Sequence, residues 1–219
     1  RDKLVTGVQT CALPISQNAD GTNGSKKEIT VQYAIQKSFN TVPVRIITEM
    51  LGVNEAYNFM KKTFHLTTLD DSADANIAPL ATGALTNGVT TVEMAAAYAV
   101  FGNNGYYYEP YCYYKVTNAT GTEVLLETKS EPERVLSEDT AEVMRELLKT
   151  VPARDFRKSK NLGKFELMSK TGTTSDTKDS WIAGGTPYYV CAVWLGYDKP
   201  KVIPFRDSAP GRVYIAPLD

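Results

Sequence analysis

An α+β fold, an antiparallel sheet flanked by helices, is what this sequence predicts. Helical caps and periodicities dominate roughly the first two thirds of the chain. Short strand-like runs separated by turn residues dominate the last third. Helices first and strands last, rather than strictly alternating, point to helices packed on an antiparallel sheet instead of parallel βαβ units. The length of 219 residues suits one domain, or one and a piece of another.

Polar, glycine-bearing residues 17–29 read as a loop. Thr30 caps a helix through Lys37 whose apolar face carries Val31, Ala34 and Ile35. Ser38-Phe39-Asn40 interrupts it, because Pro43 disfavours helical geometry just upstream. A second helix is expected from Val42 to Leu51, with Pro43 in its first turn and Gly52 as its stop. Asn54 to Lys62 reads as a third, and residues 66–88 show no clear period. Thr90-x-x-Glu93 is a capping box ahead of a helix over Val92–Phe101, ended by Gly102 and Gly105. The aromatic run Tyr106 to Tyr114, continued to Val116, reads as one strand of a hairpin, turned at Asn118–Gly121 and returned by Glu123–Leu126. Ser137 caps a helix from Glu138 to Lys149, ahead of Pro152. Three strands follow, Lys164–Thr171, Ser180–Gly185 and Tyr189–Tyr197, the last two joined at Thr186-Pro187. Residues 199–219, with Pro200, Pro204 and Pro210, read as an irregular tail.

Charge and cysteine usage narrow the function classes. With 24 basic and 25 acidic residues and no long run of one sign, there is no basic excess to hold nucleic acid. No stretch approaches the ~20 apolar residues of a membrane span. Cys11, Cys112 and Cys191 lack metal spacing and form no disulfide framework; Cys112 and Cys191 are expected to be packed side chains. His65 has no partner histidine, so it is expected to be structural and no metal or cofactor is expected. Residues 1–16 begin without methionine, are not a signal peptide, and resemble a translated sequencing-adapter read-through. Native sequence is therefore expected from about Gln17, with a fragment cut at both ends.

Chemistry concentrates in Lys170-Thr171-Gly172-Thr173 and in Ser38-Phe39-Asn40. A cation, a residue without a side chain and a hydroxyl, closing one strand, can grip a carboxylate and stabilise an oxyanion. The glycine lets a ligand backbone approach. The plainer alternative is an exposed strand end with turn residues. Ser38 and Asn40 in a break between two helices can present a hydroxyl and an amide into a cleft. Alone they fit an ordinary helix-to-helix connection better, and Ser16-Gln17-Asn18 and Ser159-Lys160-Asn161 share the spacing.

Together the two boxes are far more specific. Ser-x-Asn and Lys-Thr-Gly are two of the three boxes of the penicillin-recognising serine enzymes, Ser-x-x-Lys being the third. Along residues 17–198 the chain resembles the transpeptidase domain of class A penicillin-binding proteins. The resemblance rests on the Thr30–Val44 segment, on Ala81–Tyr106, on Lys170-Thr-Gly-Thr-Thr with Asp179-Ser180-Trp181, and on Val193-Trp-Leu-Gly-Tyr-Asp. It implies a penicillin-binding/β-lactamase-like transpeptidase fold, here incomplete at both ends. It also implies a serine acyl-enzyme formed on the D-Ala-D-Ala end of a peptidoglycan stem peptide and transferred to a neighbouring amine, with β-lactams as mimics. By that analogy Ser38 helps pass a proton to the leaving group and Asn40 orients the substrate amide. Lys170 supplies positive potential, and Thr171, Gly172 and Thr173 bind substrate, with the Thr173 N–H as half of the oxyanion hole. The intact protein would act at the extracytoplasmic face of a bacterial membrane, with an anchor and a glycosyltransferase domain upstream.

The nucleophile box is missing. The only Ser-x-x-Lys is Ser175-Asp-Thr-Lys178, just after the third box and read as coincidence. The chain as given is therefore expected neither to cross-link nor to be labelled by a penicillin. Two alternatives stay open: a D,D-carboxypeptidase or β-lactamase relative, and a non-catalytic domain that senses β-lactams or stem peptides.

Overall fold

The computed structural model describes residues 8–9, 18, 28–152 and 164–204; the expectations for Cys11, for residues 19–27 and for the tail beyond residue 204 lie outside them. Val8–Gln9 (β1) pairs antiparallel with Glu28–Ile29 (β2). Helix α1, Val31–Lys37, opens where the Thr30 side chain accepts from the Tyr33 N–H at 3.1 Å, the cap the sequence predicts. Helix α2, Thr41–Arg45, carries Pro43 in its first turn and runs into a wider turn over Ile46–Leu51. There the Gly52 N–H reaches back five residues to the Ile47 carbonyl at 2.7 Å. Helix α3, Val53–Asn58, widens in the same way over Phe59–Thr63. The two predicted helices are thus each an α segment followed by a π-type segment.

The aperiodic stretch from residue 66 holds a short helix the sequence did not announce, α4, Ile77–Thr82. Six residues are too few for a period to show. Helix α5, Thr91–Gly102, starts at the predicted capping box: Thr90 accepts from the Glu93 N–H and Glu93 returns the bond. It is apolar almost all round, so it is packed on several sides, against α6 and three strands. Helix α6, Glu138–Lys149, is capped by Ser137 and buries Ala141 and Leu148 on one face.

The predicted aromatic strand is much shorter than its run of tyrosines. Only Tyr106–Tyr107 (β3) is strand, and it pairs with Glu133–Arg134 (β6). The hairpin is Lys115–Thr117 (β4) with Val124–Glu127 (β5). Pro110 has no N–H to give a ladder, and Tyr108, Tyr111, Tyr113 and Tyr114 lie exposed where Tyr107 is buried. Cys112 is exposed in this segment rather than packed, and so is Cys191. Cys191 sits on an edge strand opposite Gly184, which has no side chain to cover it. His65 is structural in its contacts: its Nε2 lies 2.9 Å from the Glu133 carboxylate and its ring lies against Tyr107.

The main sheet is β7 (Met168–Thr173), β8 (Ser180–Gly185) and β9 (Val190–Leu195), all antiparallel, with β7 at one edge among the described residues. The strand expected over Lys164–Thr171 begins later and runs further. Its only ladder partner among the described residues is β8, whose six residues sit opposite Met168–Thr173. Lys-Thr-Gly-Thr is therefore paired throughout and closes the strand, as the sequence suggests, with the end two residues further on than expected. The β8–β9 turn is held by the Thr186 hydroxyl, which accepts from the Tyr188 and Tyr189 N–H groups.

Phe64 touches each of three buried clusters: Tyr57, Leu66 and Leu69; Ala96, Val100 and Tyr107; and Phe101, Leu148 and Met168. The third matters most for function. Met168 begins β7 and is pinned between α5 and α6, so burial of roughly 1.5–3 kcal/mol per side chain fixes the strand that two residues later presents Lys170.

Candidate active site

Ser38 closes α1 in the left-handed conformation, φ 55° and ψ 48°. The Ser38 N–H bonds to Ile35 O and the Phe39 N–H to Ala34 O, the paired bonds of a Schellman end. Glycine fills that position without cost, whereas a residue with a Cβ is held there at roughly 1–2 kcal/mol. A hydroxyl is thus placed where the backbone alone favours glycine, the kind of local strain that clusters at working sites.

The next turn is fastened from a distance. Asn18, buried, accepts from both the N–H and the hydroxyl of Thr41 at 3.2 Å, at the start of α2. Asn40 is the residue before that helix, half-buried, and its side chain makes no cap bond. Ser38, Phe39 and Asn40 are all half-buried, with Phe39 edge-on to Tyr33. Asn18 had no signal in the sequence beyond lying in a polar loop.

Lys170, 132 residues away in sequence, donates from Nζ to Ser38 Oγ and also to the Thr171 carbonyl at 2.7 Å. The two sequence boxes therefore meet. An ammonium can only donate, and a serine hydroxyl that accepts from it keeps its own hydrogen and a second lone pair. The pair can pass a proton outward from Ser38 and replace it from Lys170.

Beyond Lys170 the strand emerges toward solvent: Thr171 is half-buried, while Gly172 and Thr173 are exposed. Gly172 is not demanded by the fold. A Cβ there would sit 3.5 Å from the Trp181 Cβ, an ordinary contact. Gly184, by contrast, has the Met168 carbonyl oxygen 2.3 Å from where its Cβ would be, so that glycine serves strand packing. On its side away from β8, β7 has no ladder partner among the described residues, and with a glycine open to approach that side can accept an extended peptide backbone.

The turn after the box is tied rigidly. Asp179 accepts from Thr174 Oγ1 at 3.1 Å and from Trp194 Nε1 at 3.0 Å, and its N–H donates to Thr174 Oγ1 at 2.8 Å. Ser175 to Thr177 forms a single tight turn within that loop. An open, largely apolar groove of about 560 Å³ lies elsewhere, between α5, the Tyr108–Tyr111 segment and Val190–Ala192; of the residues named from the sequence Cys191 lines it, and none of the candidate site residues does. Among the described residues, no group of three or more His, Cys, Asp or Glu could hold a metal ion, and no helix is long and apolar enough to cross a membrane.

An antiparallel sheet whose edge strand carries Lys-Thr-Gly-Thr, meeting a Ser-x-Asn in a break between two helices, is the arrangement of the penicillin-recognising serine enzymes. Residues 14–201 match the family described as Transpeptidase: Penicillin binding protein transpeptidase domain. The chain belongs to that family. It is 40% identical over 184 residues to penicillin-binding protein 1A of Clostridium acetobutylicum, covering 84% of this chain and 22% of that protein. Among solved structures it resembles the PonA1 protein of Mycobacterium tuberculosis in complex with penicillin V, with a TM-score of 0.74 and 21% identity over 95% of this chain and 58% of that one. It also resembles penicillin-binding protein 1A of Haemophilus influenzae, with a TM-score of 0.72 and 22% identity over 94% of this chain and 37% of that one. The two structural likenesses establish the transpeptidase fold. The chain spans about a fifth of the length of the Clostridium acetobutylicum protein and of another clostridial penicillin-binding protein 1A that it matches.

Proposed function

We propose that residues 17–198 form the substrate wall and proton relay of a serine-type D,D-transpeptidase that cross-links peptidoglycan stem peptides. The observation that carries this reading is the hydrogen bond from Lys170 Nζ to Ser38 Oγ beside the open edge at Gly172 and Thr173. An extended D-Ala-D-Ala end adds along β7, its carboxylate bound by the Thr171 and Thr173 hydroxyls under the potential of Lys170. Asn40 orients its amide. A serine hydroxyl attacks the penultimate carbonyl, the C–N bond to terminal D-Ala breaks, and the Thr173 N–H stabilises the oxyanion. The attacking serine gives its proton to its own lysine base, and the leaving amine takes one from Ser38. Lys170 restores Ser38 and recovers its proton from that base, so one proton passes overall from nucleophile to leaving group. An amine of a neighbouring stem then displaces the serine and completes the cross-link.

The attacking serine, with its lysine three residues on, is assigned to sequence outside these 219 residues, because the single Ser-x-x-Lys here lies in the turn after β7. In the same reading the protein belongs to a class A penicillin-binding protein working at the extracytoplasmic face of the cell membrane, and β-lactams occupy the same edge as D-Ala-D-Ala.

The test is covalent labelling of the complete gene product with a fluorescent penicillin, followed by assay with a stem pentapeptide and an amine acceptor. Labelling, release of D-Ala and a new cross-linked product are expected, whereas the 219-residue chain alone stays unlabelled. Hydrolysis without transfer would make it a carboxypeptidase or β-lactamase relative. Binding without acylation of the complete protein would make it a sensor. A drug-sized mass increase on the 219-residue chain would overturn the assignment of the nucleophile.

A further inference from the structure

Two serine hydroxyls, Ser169 and Ser180, are buried to within 2% of complete exclusion and have no hydrogen-bond partner among the described residues. Leaving a buried hydroxyl unpaired is unfavourable, so each calls for a reason. Ser169 begins the inner end of β7, opposite Gly184 and four residues from Thr173. Ser180 is different: in the β7–β8 ladder it is the direct partner of Thr173. Direct partners in an antiparallel pair project to the same face with Cβ atoms about 4.5–5.5 Å apart. Thr173 is exposed, its hydroxyl makes no recorded bond among the described residues, and it is one of the groups assigned to the substrate carboxylate.

We infer that Ser180 is a positioning residue that acts through Thr173, an inference that rests on the transpeptidase reading above. A threonine hydroxyl has one hydrogen and can point it at a carboxylate or elsewhere. When Ser180 donates to Thr173 Oγ1, the Thr173 hydrogen is directed away from the sheet and toward the carboxylate. Burial keeps water from competing for the Ser180 hydrogen, which makes that bond stronger than an exposed one. The bond is made only when the ligand holds Thr173 in the receiving rotamer, so the hydroxyl stands unpaired without ligand. Asp179, in the turn before β8, accepts from Thr174 in that turn and from Trp194 on β9, which holds the start of β8 and with it the Ser180 backbone.

The test uses the complete gene product and measures the rate constant for acylation by benzylpenicillin and by its methyl ester, which lacks the anionic carboxylate. Ser180→Ala is expected to lower acylation by benzylpenicillin about fivefold, the scale of one neutral hydrogen bond, to leave the ester rate unchanged, and to keep or raise Tm. Ser180→Thr, which retains a hydroxyl, restores the rate. In a Thr173→Val background, Ser180→Ala has no further effect. Ser169→Ala, relieving the other unpaired hydroxyl, changes Tm without changing acylation. Equal losses with penicillin and its ester, an undiminished rate in Ser180→Ala, or an additive loss in the Thr173→Val background would each overturn the inference. If the unaltered protein is not acylated at all, the transpeptidase reading falls and carries this inference with it, an outcome distinct from acylation that ignores Ser180.

Discussion

The loop from Asp70 to Thr90 and the Ser38–Lys170 site are both built from hydroxyls and one or two charged groups, but they finish differently. In the loop no buried side-chain polar atom is left without a partner among the described residues. Asp74, shut off from solvent by a thin shell of chain, accepts from the Asp70 N–H, the Thr86 N–H and the Thr86 hydroxyl at 2.8–2.9 Å. Asp70 caps the turn at Ser72 and Ala73 in the same way. Glu93 joins Thr67 to Thr90. At the site the backbone is strained at Ser38, two box residues are left in solvent, and the hydroxyl opposite Thr173 is unpaired. Matched polar groups make structure rigid; unmatched ones are free to be completed by a ligand. That difference separates scaffold from site more cleanly than residue type does.

Substitutions that push the two regions in opposite directions sharpen the comparison. The largest effect is expected from Lys170→Ala in the complete protein: acylation by penicillin falls about 100- to 10,000-fold, the usual contribution of a placed proton donor, with Tm little changed. A drop in Tm with acylation preserved would place Lys170 with the scaffold. Ser38→Gly divides stability from chemistry within one residue. The left-handed position favours glycine, so unfolding free energy should rise by about 1 kcal/mol while acylation drops at least tenfold. Urea denaturation and a labelling time course read the two effects separately.

Asp74→Ala is the mirror case. It strands two backbone N–H groups and is expected to destabilise the fold by about 2–4 kcal/mol, read as a lower urea midpoint, without altering acylation of the folded fraction. Gly184→Ala and Gly172→Ala form a matched pair on neighbouring strands. The first lowers Tm because its Cβ meets the Met168 carbonyl; the second leaves Tm nearly unchanged and slows acylation. If Gly172→Ala acylated normally, the edge of β7 would not be where a ligand lies.

The smallest effect is in acid. Burial by itself would raise the Asp74 carboxyl, but the Asp70 and Thr86 N–H groups and the Thr86 hydroxyl outweigh it and hold it below its ordinary value. Glu93 is lowered likewise, its burial outweighed by the N–H groups and hydroxyls of Thr67 and Thr90. Folded values below the unfolded ones mean this stability is fully present above the unfolded carboxyl range, about pH 4, and is lost as pH falls through the lowered values. Tm should therefore decline below about pH 4, and less steeply in Asp74→Asn. Parallel declines in both proteins would show that Asp74 is not a source of the acid sensitivity.

Much of this was legible in order along the chain. The caps at Thr30, Thr90 and Ser137, the β8 strand and the Thr186 turn depend on neighbours three or four residues away or on strict alternation, so local sequence was enough. The two boxes were legible as residue types with a recognisable spacing. What local pattern could not supply was the end of a strand, because a ladder stops where its partner stops. The exposure of Cys112 and Cys191 was hidden too, since it depends on which side chains lie across from them, and α4 was too short for its period to show.

By itself the amino-acid sequence determined the class of fold, the capped helices and the identity of Ser38, Asn40, Lys170 and the Thr171–Thr173 wall as candidates. Only the tertiary structure decided that Lys170 reaches Ser38, that Asn18 fastens α2, that Gly172 has room for a Cβ and Gly184 does not, and that Ser180 stands opposite Thr173. Each of those relations joins residues on different elements, and Lys170 reaches Ser38 across 132 positions. Contacts of that kind are set by how strands register and helices pack, which no periodicity within one element encodes.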